Sequence, residues 1–167
     1  MPRLPFPSSL ILPALCALAG ACSSDDEGGT PAVRFVEDGG EVTFAESVAE
    51  LDEDGVTVSF LSVDGDRGRS LKVTTTPEVG VRECSDGEVV EEGGAFLVDV
   101  RYLKGDAETG DFYDGHAEGS GCTVEVIETP ASDGDPWIVS FSAIVSRDGD
   151  ILNRIILADG EIEATPE

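Results

Sequence analysis

Positive charge is scarce in this chain. Its 167 residues include 10 Lys and Arg against 35 Asp and Glu, which leaves a net charge of -25 at pH 7. A surface of that sign repels phosphate backbones and acidic headgroups, so a nucleic-acid partner is excluded. The excess otherwise supports solubility, or tolerance of a salty medium in which counterions screen the self-repulsion. Histidine occurs once, as His116, and two distant cysteines cannot complete a zinc site with it. Trp occurs once and Tyr twice, too few for an exposed sugar-stacking platform, so Trp137 is read as a packing residue. The longest oily stretch, Leu10 to Leu18, is interrupted by Pro13 and falls short of the ~20 apolar residues that a spanning helix needs.

What that short stretch does fit is a signal peptide over residues 1–21, with Arg3 as its one charged side chain, an apolar centre, and the small triplet Ala19-Gly20-Ala21. The triplet runs straight into Cys22. The segment Leu18-Ala19-Gly20-Ala21-Cys22 resembles the lipobox of bacterial lipoproteins, in which the cysteine is acylated and becomes the first mature residue. That resemblance implies membrane attachment through lipid on Cys22. With Ser23 and not an aspartate following, it also implies the outer membrane of a double-membraned bacterium. One acyl chain holds only marginally at roughly 0.8 kcal/mol per buried methylene, so a multiply acylated cysteine would be a firm anchor. Residues 22–32, rich in Ser, Gly and acid, read as an acidic flexible tether.

Residues 33–167 read as one all-β domain. Apolar residues alternate with polar ones from Phe96 to Leu103 and from Trp137 to Ser146, and shorter alternating runs lie around Val42, Val58, Val73, Val81, Val124, Ile155 and Ile162. Asp-Gly pairs punctuate them, including Asp38-Gly39, Asp54-Gly55, Asp64-Gly65, Asp86-Gly87, Asp133-Gly134, Asp148-Gly149 and Asp159-Gly160. Each supplies a residue that tolerates the positive φ of a tight hairpin turn. The expectation is a single antiparallel β-sandwich, or an open barrel. Thr43 to Leu51 is the one segment where a helical turn competes with a strand. Together the stretches FVEDGGEVTF, GSGCTVEVIET, WIVSFSAIVSRDGD and IILADGEIEAT resemble small bacterial lipoproteins of uncharacterised β-sandwich type. That resemblance carries the fold over most of residues 33–165 and brings no activity or site residues with it.

Export implies an oxidising compartment. With Cys16 removed in the signal and Cys22 acylated, Cys84 and Cys122 have each other as the one disulfide pairing, buried free thiols being the alternative. No catalytic constellation emerges. His116 has Asp114, Glu118 and Ser120 near it in sequence, but Gly105 to Gly121 is glycine-rich, reads as a loop, and lacks the spacing of a nucleophile elbow. His116 is therefore expected to be a solvated loop residue, and Asp99 and Arg101 a solvated sheet face. No metal or other cofactor is expected; the weak candidates for Ca²⁺ are Asp106, Glu108, Asp111 and Asp114, which do not match an EF-hand loop. The sequence thus points to a monomeric, non-catalytic envelope lipoprotein with a structural or interaction role and an unidentified partner, a ligand- or Ca²⁺-binding module being the alternative.

Overall fold

The computed structural model describes residues 31–65, 67–84, 89–90, 95–105, 110–147 and 150–166, and the described chain is all-β. Its strands are β1 (Val33–Glu37), β2 (Gly40–Phe44), β3 (Val48–Leu51), β4 (Val58–Asp64), β5 (Arg69–Thr75), β6 (Gly80–Glu83), β7 (Val89–Val90), β8 (Ala95–Phe96), β9 (Asp99–Lys104), β10 (Asp111–Asp114), β11 (Gly121–Glu128), β12 (Trp137–Arg147) and β13 (Asp150–Pro166). The segment open to a helical turn contributes the end of β2 and all of β3. Phe44 at the end of β2 and Ala49 within β3 are buried, and each strand pairs with a neighbour, β2 with β1 and β3 with β4, which holds the segment extended.

Two layers emerge from the pairing. One runs β2-β1-β13-β12-β11-β6 and the other β3-β4-β5-β9-β10. They are joined along both margins, by β10 against the end of β12 at Tyr113↔Arg147 and by β13 against β3 at Thr165↔Val48. The ring β13-β3-β4-β5-β9-β10-β12 is thereby closed, a sandwich with barrel-like seams. The β13–β3 contact is parallel, where the sequence reading expected antiparallel pairing throughout. It arises because β1 and β3 share one edge of the long β13, and only the last two paired residues of β13 reach past β1.

Inward-facing residues of both layers meet in one aromatic-centred core. Phe35 of β1 meets Tyr102 of β9 edge-on at 5.6 Å and Phe141 at 5.8 Å, and Trp137 of β12 packs on Phe60 of β4 at 5.8 Å. The Phe35–Tyr102 and Trp137–Phe60 pairs cross from one layer to the other while Phe35–Phe141 lies within one, and each adds about 0.5 to 1.5 kcal/mol beyond burial of its area. Trp137 is a packing residue, as expected. At one end of the sandwich Glu37 accepts a hydrogen bond from the Tyr102 hydroxyl at 3.0 Å and pairs with Lys104, tying the β1–β2 hairpin to β9. Burial, and then the Glu37 charge beside it, holds the Tyr102 phenol well above its ordinary pKa.

Asp38 and Gly39 both take positive φ, 46° and 87°, in a two-residue turn that pairs Glu37 with Gly40, as the Asp-Gly signal predicts. Asp159-Gly160 behaves differently. It is a bulge inside β13 and not a turn: Phe141 faces Gly160 and Ala143 faces Leu157, so β13 carries one extra residue there, and Asp159 sits at φ 51°. The bulge moves the buried set from Ile155 and Leu157 to Ile162 and Ala164, which a strand of strict period two could not do. At Gly160 an added Cβ would lie 2.3 Å from the Phe141 ring, so glycine is required by that ring.

Candidate functional site

The densest polar cluster lies on the outer face of β9 and β10. Asp99 and Arg101 point outward from β9, Asp114 pairs with Arg101 across to β10, and Thr74 of β5 stands opposite Asp99. A solvated face was expected here, yet Asp99 is only 5% exposed. The reason is the segment that follows β10. Gly115 N donates to the Val100 carbonyl at 2.9 Å, and His116 folds down over the strand with its side chain 8% exposed.

His116 is thus buried, which corrects the solvated-loop expectation. Its Nε2 lies 2.6 Å from the Val98 carbonyl oxygen; a carbonyl only accepts, so that nitrogen carries the hydrogen. Its backbone N donates to Asp114 Oδ1 at 2.7 Å, and its Nε2 stands 3.7 Å from Asp99 Oδ1. Burial pushes the Asp99 carboxyl above its ordinary pKa; Arg101 opposes the shift, Asp114 reinforces it and His116 opposes it. Asp99 Oδ1 and Arg101 Nε have no well-directed hydrogen bond, although Arg101 Nε is in ion-pair contact with the other carboxylate oxygen. The contact is close but misaligned.

The disulfide lies beside this cluster. Cys84, just beyond β6, is bonded to Cys122 on β11 with Cα atoms 4.9 Å apart, and Cys84 N donates to the Cys122 carbonyl at 2.9 Å. A side chain at Gly115 would meet the Val100 carbonyl at 3.1 Å and the Cys84 sulfur at 3.5 Å. Glycine lets the turn lie between them. Disulfide, Gly115 and His116 together clamp the segment after β10 to the sheet.

The cluster holds no assembled nucleophile. Ser120 Oγ donates to Ser146 Oγ at 2.7 Å, and Ser59 and Thr74 pair their hydroxyls at 3.1 Å. Ser146 was expected on the wet face. It keeps its outward register opposite Arg154 and is fully buried because the Gly119-Ser120 segment lies over it, Ser120 on its hydroxyl and the Gly119 carbonyl accepting from Arg154 at 3.1 Å.

Of the Ca²⁺ candidates, Asp106 and Glu108 lie outside the described residues. Asp111 and Asp114 sit three apart on β10, hence on opposite faces of the strand, with Asp111 paired to Arg147 at 2.8 Å and Asp114 bonded to the His116 amide. These two are not brought together on one side. Among the described residues no group of three or more His, Cys, Asp and Glu side chains could hold a metal, and no helix is long and apolar enough to cross a membrane. Cys22 and residues 1–21 lie outside the described residues.

The other layer presents two adjoining shallow hollows on its outer face, of about 450 and 350 Å³. They share Thr123 and Ser142; Ser140 lies in the floor, and Glu125, Asp159 and Glu161 form the sides. The small side chains of β12 between longer neighbours on β11 and β13 make the trough. No protein-family model, curated protein or solved structure matches the chain.

Proposed function

We propose that this chain is a lipid-anchored cell-envelope lipoprotein, held by acylated Cys22 and acting without catalysis in a structural or interaction role. The observation that carries the reading is the lipobox-like Leu18 to Cys22 at the end of a short apolar run. The fold supports it. The first described strand begins at Val33, which pairs with Phe44 and with Ile162. The stretch between Cys22 and the domain therefore matches a tether in length and composition. The polar cluster favours a scaffold over a reaction centre: Asp99 and His116 are both nearly inaccessible, and the hydroxyls of Ser120, Ser59 and Thr74 are engaged with other hydroxyls.

Fractionation tests the anchor. In a bacterial host with lipoprotein processing, the wild-type chain is expected in the membrane fraction, and Cys22→Ser as uncleaved precursor or as released protein. Cys16→Ser should change neither. Membrane retention of a processed Cys22→Ser chain would overturn the reading.

A further inference from the structure

We propose that the outer face of the layer β3-β4-β5-β9-β10 lies against the lipid surface that carries Cys22. The inference rests on the anchored reading above and adds an orientation to it. An apolar strip crosses this face. Val48 pairs with Leu61, Val63 faces Leu103 across Ser70, and Leu103 pairs with Phe112. Val48, Leu61, Val63 and Phe112 are 37%, 46%, 60% and 41% exposed. Lys72 stands exposed beside Leu61, where its stem can cover apolar surface while the ammonium meets headgroup phosphates.

Charge divides the two faces of the sandwich. The layer with the trough turns Glu83, Glu125, Asp159, Glu161 and Glu163 to solvent, against Arg34 and Arg154. On the apolar face Asp99 is buried beside Arg101 and Asp114 is bonded to the His116 amide, which leaves Glu50 as the exposed acid among the described outward positions of its strands. In a chain of net charge -25, this is the side an anionic bilayer repels least. The same net charge opposes a second copy as the occupant.

The tether arrives at the right place. The Ala32 carbonyl accepts from Glu163 N, and Ala32 lines one hollow with Ser47 and Val48, so the chain from Cys22 joins the fold at the Val48 end of the strip. Ten residue steps from Cys22 to Ala32 reach at most about 35 Å, which keeps the domain within reach of the surface while leaving it free to lie on its side.

The test uses the full mature chain extracted from membranes and returned to phosphatidylethanolamine and phosphatidylglycerol vesicles containing a photoactivatable lipid. Its mass is measured before reconstitution, and cross-linked peptides are mapped by mass spectrometry. Lipid adducts should concentrate in Val58–Asp64 and at Phe112, with severalfold fewer on β11 to β13. The double variant Leu61→Glu, Val63→Glu alters exposed positions only; it should stay with the vesicles and lose the β4 adducts severalfold. An acylated, vesicle-bound chain whose adducts fall on the acidic face, or whose β4 cross-links run to a second copy, overturns the orientation alone. An unacylated chain that does not float with vesicles overturns the anchor and the orientation with it.

Discussion

Asp99 illustrates how much a single side chain can depend on a segment that covers it. Its place in the alternation from Phe96 to Leu103 marks it as outward-facing, and it is; nothing in that pattern says that His116 will close over it. Burial raises its pKa above the ordinary 3.8, so the folded state binds this proton more tightly than the unfolded state. The stability linked to that proton is complete below the ordinary value and is lost as pH rises through the raised one. Asp99→Asn removes the dependence. Relative to wild type, the variant is expected to gain stability as pH rises above the ordinary carboxylate value in urea unfolding, and a difference that stays flat or shrinks as pH rises would contradict the assignment. Gly160 carries a steric prediction at the same scale. Gly160→Ala drives a methyl into the Phe141 ring and should cost roughly 1 to 3 kcal/mol. Phe141→Leu in the same chain should recover part of that loss, because it removes the atoms that clash; denaturant midpoints of the two variants check it.

At the scale of elements, strand type was legible where a strand has one wet face. β12 shows it best, since Trp137, Val139, Phe141, Ala143 and Val145 are all buried as the alternation predicts. The hairpin at Asp38-Gly39 was legible too, because its two positive φ values require those residue types. Reading Asp159-Gly160 the same way failed, because positive φ serves a bulge as well as a turn. A discriminating signal was present: the apolar positions change parity, from Ile155 and Leu157 to Ile162 and Ala164, across a single Asp-Gly step. Deleting Asp159 tests this directly. It would force Ile162 and Ala164 outward or break pairing with β12 and β1, so the deletion should abolish cooperative unfolding and leave the chain open to limited proteolysis, whereas Asp159→Gly should keep the fold. The His116 cluster was not legible, since Asp99, Arg101 and Asp114 reach one another only through the registers of β9 and β10, and those depend on the whole sheet. The disulfide was legible from the cysteine count together with the expectation of export. Cys84→Ser with Cys122→Ser reopens a loop of sequence separation 38, which the chain-entropy relation puts at roughly 4 kcal/mol, and guanidinium unfolding of the two chains should show a loss of that order.

Taken whole, the molecule is an acid-rich sandwich whose two faces differ: one carries a trough with acidic sides and the exposed pair Ile144 and Ile156, the other the apolar strip from Val48 to Phe112 with few exposed acids. That asymmetry has meaning for function only if the chain is held at a surface, so the covalent state of its mature N-terminus is decisive. Net charge alone would drive this domain away from anionic headgroups; a lipid on the first residue would hold it there. Intact-mass and N-terminal peptide analysis of the mature protein from a host with lipoprotein processing reads this directly. The account predicts a chain that begins at Cys22 and carries the added mass of its acyl groups. An unacylated chain that begins at any other residue would contradict it.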